Sequence, residues 1–351
     1  MPDPAARPRP VLASIAKTAL RVVNGRVFRW GFVAVAVALG AYAVAVQWSQ
    51  VTQAIGRIGL PAVVLALVSV LLAQFAMVLC WRGLLGGLGS RLPVPAAARI
   101  VFLGQLGKYL PGAVWPVLTQ MELGRSYRVP RHRSASASVL VMVMVLLTGL
   151  LTALVMLPFT GVTAYRWAFA LTPVLLASLH PRVLNYLMGR LLRLARLAPL
   201  EHPLDGRTIA VALGWSFAVW IFNGVQIWLL TIRLGAPLGH SLLLSVGGYA
   251  FAWSVGFVVV FAPAGAGPRD LLLVAMFTQG LGLTASGALA VALVSRALTT
   301  VADLLAAATA GALGRRAGPG AADTAGDAPA AGDAAASGSA RAPEPGAAGR
   351  V

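Results

Sequence analysis

Charged residues are scarce in this chain, and at two places inside apolar stretches a few of them stand beside clustered Gly and Pro. The first is Gly104-Gln105-Leu106-Gly107-Lys108-Tyr109-Leu110-Pro111-Gly112, followed by Glu122 and Arg125. The second is Pro263-Ala264-Gly265-Ala266-Gly267-Pro268-Arg269-Asp270, with Arg296 further on. Placing a Lys, Arg or Asp at the centre of a membrane helix costs about 2.5–3.5 kcal/mol, so each of these groups needs a reason to be there. Gly- and Pro-rich backbone at that depth is tolerated only where it packs in protein or lines a wet cavity. Lysine as a point charge and arginine as a planar fork both suit a phosphate headgroup. Glu122 and Arg125 stand three apart and can pair on one helix face. Gly265 and Gly267 permit close backbone approach, and the helix that follows would point its first amides at an anion. The bland readings are that Lys108 snorkels to the interface, that Glu122–Arg125 is an exposed pair, and that Asp270 merely caps a helix.

The elements that must position these groups follow from composition. Of the 351 residues, 58% are hydrophobic and only 11% charged, with a mean hydropathy of +0.81. A soluble domain carries about 25% charged residues, so an ordinary globular enzyme and a disordered chain are both excluded. At about 20 apolar residues per crossing, the sequence predicts an all-α polytopic membrane protein with about eight transmembrane helices and two re-entrant or interrupted segments. The expected spans are Gly31 to Trp48, Leu60 to Cys80, Ala135 to Phe159, Trp167 to Leu179, Thr208 to Leu230, Ser241 to Phe261, Leu271 to Leu293 and Ala297 to Leu313. Residues Ile100 to Thr119, basic at both flanks and broken at Pro111-Gly112, read as a hairpin that enters and leaves on one side. Gly280 and Gly282 open an alternative at the end of the chain: a long last helix from about Thr284 to Leu313, with Arg296 in mid-membrane rather than in an outer loop.

Net charge is +18, and the basic residues lie between apolar runs, as topology signals do, rather than in a nucleic-acid patch. With both termini in the cytosol, six basic residues fall in the N-terminal tail, three at 82–99, four at 125–133, five at 182–207 and four after 314. The opposite side receives Arg57, Arg166, Arg233 and Arg296. That bias predicts a cytoplasmic (inner) membrane protein of this orientation. Residues 1–29 read as a basic cytosolic tail leading into an uncleaved anchor, 30–314 as the membrane domain, and 315–351, rich in Ala, Gly and Pro, as a disordered cytosolic tail. Between them, residues 183 to 198 place Arg190, Arg193 and Arg196 on one arc and Leu184, Leu187, Met188, Leu191 and Leu194 on the other. This reads equally as a helix lying on the cytosolic leaflet or as a basic loop that fixes topology. Cys80 is the single cysteine, so no disulfide framework or Cys-based metal site is expected.

The Gly104–Gly112 run with Glu122-x-x-Arg125 resembles the first signature of the lysylphosphatidylglycerol synthase transmembrane-region family. The Pro263–Asp270 loop is similar to its second, a Pro-Gly-Gly-x-Gly-x-Arg-Glu type of loop, and Arg296 matches a basic residue in its last helix. The resemblance covers about residues 30 to 314. This chain departs from the pattern at Ala264, Pro268 and Asp270, the last keeping the charge on a shorter arm. The resemblance implies movement of lipids or lipid-linked precursors across the bilayer, without the soluble domain that makes aminoacyl-lipid in bifunctional members. On this reading Lys108, Arg125, Arg269 and Arg296 contact phosphate while Glu122 and Asp270 balance them. Tyr109, Pro111, Gly112, Pro263, Gly265 and Gly267 complete the groove. No catalytic residue, cofactor or metal is expected. The partners are membrane lipids, either anionic phospholipid or polyprenyl-linked saccharide, together with envelope-biosynthesis proteins.

Two other classes stand beside this one. A polyprenyl-phosphate transferase would need clustered carboxylates for a metal. The acids ahead of the tail are Asp3, Glu122, Glu201, Asp205, Asp270 and Asp303, with no D-D or D-x-D pair. A non-transporting accessory subunit would use the basic loops and the tail as docking surfaces. The chain has no G-x-x-x-x-G-K-[ST] loop, so direct ATP drive is not expected.

Overall fold

The computed structural model describes residues 48–109, 114–160, 170–194, 203–258 and 267–316, with isolated positions at 31, 38, 42 and 45. Among them all regular structure is helical: α1 (Trp48–Ile58), α2 (Leu60–Gly87), α3 (Val94–Gln105), a 3-10 turn (Leu106–Tyr109), α4 (Trp115–Arg125), α5 (Arg131–Met156), a second 3-10 turn (Leu157–Thr160), α6 (Thr172–Ser178), α7 (Pro181–Leu194), α8 (Gly206–Ile232), α9 (Leu238–Val258), α10 (Pro268–Leu281) and α11 (Ala285–Arg316). Among the described residues four stretches are long and apolar enough to cross a membrane: Leu60–Gly87, Arg131–Phe159, Gly206–Ile232 and Ala285–Ala312. The protein is therefore an all-α, multi-pass membrane protein. The tails at 1–29 and 317–351, and nearly all of the expected Gly31–Trp48 span, lie outside the described residues.

The core is built on close helix approach. The α2 face carrying Ala62, Ala66, Ser69, Ala73, Ala76 and Cys80 is buried, while Leu60, Val64, Leu65, Val68, Leu72 and Phe75 stay exposed. Small residues let backbones approach, which is how membrane helices gain contact where lipid is as apolar as leucine. That face meets α8 in antiparallel register. Ser69 Oγ donates to the Phe222 carbonyl at 2.7 Å, and Cys80 Sγ lies 3.3 Å from Ser216 Oγ. Deeper in the bundle Trp220 Nε1 donates to Thr148 Oγ1 at 3.1 Å, tying α8 to α5.

Two sequence expectations change. The Leu271–Leu293 span does not exist, because α10 stops at Leu281 on Gly282, whose φ of 64° is left-handed. Thr284 then opens one helix, its Oγ1 accepting from the Gly287 amide at 3.1 Å. The separate last span from Ala297 is replaced by the 32-residue α11, which holds Arg296 inside it rather than in an outer loop. Two glycines had marked this outcome. Of the expected Trp167–Leu179 span, residues 170–179 are described, with α6 at Thr172–Ser178, and residues 161–169 lie outside the described set.

The two interrupted regions are hairpins entering from opposite ends of the bundle. The α3–α4 hairpin starts and ends beside Arg91 and Arg125, at the end where α8 begins. The α9–α10 hairpin starts after Arg233 and ends at Leu281, at the end where α8 finishes. Both hairpins touch α11, the first through α3 and the 3-10 turn, the second through α10.

Candidate functional site

The Lys108 hairpin closes tightly because Gly107 lacks a side chain. A Cβ there would stand 2.7 Å from the Pro116 nitrogen and 2.8 Å from the Trp115 carbonyl carbon. Likewise a Cβ at Gly104 would fall on the Gln120 side chain, 2.4 Å from its Cγ. With α4 drawn so close, the 3-10 turn presents Lys108 and Tyr109 to α11, and Leu106 packs near Ala307 and Leu304.

On α11 the spacing i, i+4, i+7 puts Arg296, Thr300 and Asp303 on one face. Lys108 Nζ lies 2.5 Å from Asp303 Oδ2. Tyr109 Oη donates to the same oxygen at 2.6 Å, and Gln74 Nε2 of α2 donates to Oδ1 at 2.7 Å. The Asp303 side chain is 1% exposed while Lys108 keeps 28% of its surface. Desolvating a carboxylate without partners is costly; three donors make its burial tolerable here. The Thr300 hydroxyl on the same helix donates to the Arg296 carbonyl at 3.0 Å.

The second hairpin delivers Arg269 and Asp270 in the first turn of α10. Arg269 donates to Asp270 Oδ1 from Nε at 3.3 Å and from Nη2 at 3.2 Å, and its guanidinium sits 5.8 Å from the Tyr249 ring centre. Arg296 Nη2 approaches Asp270 Oδ2 at 3.0 Å. The approach is an ion pair rather than a hydrogen bond, since that nitrogen finds no acceptor with suitable geometry among the described residues. Arg296 and Asp303 stand seven residues apart on α11, about 10 Å along the helix, so the two clusters lie two turns apart on one face.

At 1.5 Å per residue, Arg296 lies about 17 Å from the start of α11 and Asp303 about 20 Å from its end. The described flanks of both hairpins therefore meet deep in the bundle on a single face of the last helix. Three cations, Lys108, Arg269 and Arg296, face two carboxylates, Asp270 and Asp303, leaving one positive charge in excess.

The other predicted groups sort differently. Glu122 and Arg125 pair at 3.0 Å, and Arg131 joins them at 2.7 Å. They occupy the end of α4 remote from the hairpin tip, so Lys108 and Arg125, both expected to contact phosphate, do not share a site. Burial opposes the Glu122 charge, but hydrogen bonds from Arg131 and Arg125 outweigh it and hold that carboxyl below its ordinary range. Pro111, Gly112, Pro263 and Gly265 lie outside the described residues. Gly267, with φ at 97°, caps α10. Gln74, Tyr249, Thr300 and Asp303 were not anticipated as site residues. The 296/300/303 spacing would have exposed two of them once α11 was read as continuous. Among the described residues no three His, Cys, Asp or Glu side chains gather closely enough to hold a metal.

A family model described as lysylphosphatidylglycerol synthase TM region matches residues 31–307. That interval contains both hairpins, Arg296 and Asp303. No curated protein matches the chain.

Proposed function

The chain belongs to the lysylphosphatidylglycerol synthase TM region family, and on that premise we propose that it translocates a phospholipid or lipid-linked glycan precursor across the cytoplasmic membrane, through a polar groove, without covalent chemistry. The observation that carries the reading is the meeting of two opposed hairpins on one face of α11, with three cations against two carboxylates. Discontinuous helices converging at half depth are how transporters build polar sites without exposing backbone to lipid. A headgroup phosphate supplies the missing negative charge. Arg296 is the group best placed to receive it, because its Nη2 has a carboxylate nearby but no aligned acceptor. Asp270 competes for the same guanidinium and keeps the anion from being held too tightly, so that release follows binding.

In this reading the acyl chains stay in the bilayer while the headgroup passes the cluster. The cytosolic side is the basic end. With Arg296 inside α11, the expected external basic residues fall to Arg57, Arg166 and Arg233. With the Ser241–Phe261 and Leu271–Leu293 stretches taken up by the α9–α10 hairpin and a single helix α11 closing the domain, the proposed topology has six crossings, the two hairpins being additional to them.

The test is a reconstituted flipping assay. Proteoliposomes carrying the wild-type chain or Arg296→Gln are compared for transfer of fluorescent phospholipids and of undecaprenyl-linked sugars. The expected result is transfer of one substrate class by the wild type and a loss of about tenfold or more in the variant, the worth of one charge-assisted contact. Full transfer by a correctly inserted Arg296→Gln chain would overturn the reading and favour an accessory role. Lys108→Ala is a poorer first choice, since it leaves Asp303 buried without its counter-ion.

A further inference from the structure

Helix α7 (Pro181–Leu194) contains no acidic residue, and the transport reading makes no use of it. It lies at the basic end of the bundle. Asn185 Nδ2 donates to the Leu204 carbonyl at 3.0 Å, and the Leu204 amide donates back to Asn185 Oδ1 at 3.0 Å. Leu204 in turn packs at Gly87, where α2 ends. Leu184 and Leu192 are buried, fixing the inner face of α7. The outer face exposes Arg182, Arg190 and Arg193 beside Val183, Tyr186, Leu187 and Leu194.

Leu187, Arg190, Arg193 and Leu194 line an open cleft of about 620 Å³. Arg190 is held over Tyr186, donating to its hydroxyl from Nε at 3.2 Å and Nη2 at 3.0 Å, with its guanidinium 5.5 Å from the ring centre. Arg193 Nε donates to the Gly189 carbonyl at 3.0 Å. Each guanidinium is thereby oriented by one edge, and no carboxylate of α7 competes for the rest. Fork-shaped cations set between leucines match a phosphate joined to acyl chains, and a helix with this division of faces lies in the interfacial plane.

We propose that the α7 cleft is a second lipid site, a seat for the headgroup of an anionic phospholipid in the leaflet at the basic end, separate from the cluster on α11. Its selectivity is for net negative headgroups, because two cations face the cleft and nothing on the helix balances the positive head of a zwitterionic lipid. The site holds α7 against the bilayer and does not depend on whether the α11 cluster moves lipid.

The experiment counts phospholipid retained by the purified full-length chain in detergent, using native mass spectrometry during titration with palmitoyl-oleoyl phosphatidylglycerol or phosphatidylcholine. Wild type is expected to retain the anionic lipid preferentially. Arg190→Gln with Arg193→Gln should weaken the tightest such binding roughly thirtyfold, the effect of losing two surface cations, while leaving phosphatidylcholine retention and the melting temperature unchanged. The charge-keeping pair Arg190→Lys with Arg193→Lys should restore most of the binding. The proposal is overturned if the glutamine variant binds phosphatidylglycerol as the wild type does, or if both lipids bind the wild type equally. It is overturned too if water-soluble glycerophosphoglycerol displaces the lipid at comparable concentration, which would make the cleft a simple anion site.

Discussion

The two ion clusters on α11 use the same residue types to different ends. At Asp303 the carboxylate is sealed and receives Lys108, Tyr109 and Gln74 at 2.5–2.7 Å. At Asp270 the carboxylate is partly open and faces two arginines at 3.0–3.3 Å, one of which forms no aligned hydrogen bond. Short, saturated contacts in a dry place behave as a latch. Longer, shared contacts in a more accessible place can be exchanged for another anion. On the transport proposal, the first cluster holds the hairpin on α11 and the second meets the headgroup.

The largest expected effect is at the latch. Asp303→Ala leaves Lys108 without its counter-ion and the phenol without its acceptor, and removing one partner of a buried pair costs about 3–5 kcal/mol. Thermal melting in detergent should show a chain that is barely folded. The double variant Lys108→Met with Asp303→Leu, which removes both charges, should recover much of the loss. If Asp270→Ala destabilises the protein as strongly as Asp303→Ala, the division of labour is wrong.

A smaller loss is expected at the hairpin itself. Gly107→Ala forces a methyl against the Trp115–Pro116 backbone, and overpacking of this kind costs about 1–3 kcal/mol. It should lower the melting temperature and also cut flipping, because Lys108 and Tyr109 move with the turn. Gly189→Ala in the interior of α7, where a Cβ meets nothing within 4 Å, is the control and should leave the melting temperature unchanged or slightly raised, since alanine is the better helix former.

The exchangeable cluster should show the reverse pattern. Arg296→Gln removes a cation whose ion pair is poorly aligned, so melting should shift by less than that of any latch variant while flipping falls. Arg296→Lys keeps the charge but loses the fork and should recover part of the rate. A variant that melts early and flips normally would reverse the assignment.

Much of this arrangement was legible in the sequence. Lys108, Arg269 and Asp270 stood out because charge and Gly/Pro backbone are expensive at membrane depth, and the structure brings their neighbourhoods together. Arg125 is near Lys108 along the chain, but that proximity does not say how far α4 carries it; the helix runs from the hairpin tip back to the basic end. Asp303 stayed hidden for a physical reason. In an apolar helix one aspartate has no visible partner, and its three donors come from residues 74, 108 and 109, far away in sequence. The α10–α11 boundary turned on whether Gly282 adopts a left-handed conformation, a choice that hydropathy does not register.

The smallest expected effect lies at the base of the first hairpin and separates it from both clusters. Glu122 is held by Arg131 and Arg125, whose hydrogen bonds outweigh the burial that opposes its charge and keep the carboxyl below its ordinary range. A depressed folded value means that the unfolded chain takes up its proton first as pH falls from neutrality. The stabilisation is therefore complete above the unfolded value, about 4.3, and is lost as pH drops through the lower folded one. Because both arginines are substantially exposed, solvent screening limits the pair to about 1 kcal/mol or less. Melting of the wild type should decline below about pH 4.5, and Glu122→Gln should remove that share of the decline while changing melting little once the acid is protonated. Flipping at neutral pH should be nearly unaffected by Glu122→Gln, whereas Arg296→Gln should abolish most of it. If instead Glu122→Gln stops transfer without altering the melt, the headgroup path begins at the base of α4, and the site extends from there to α11.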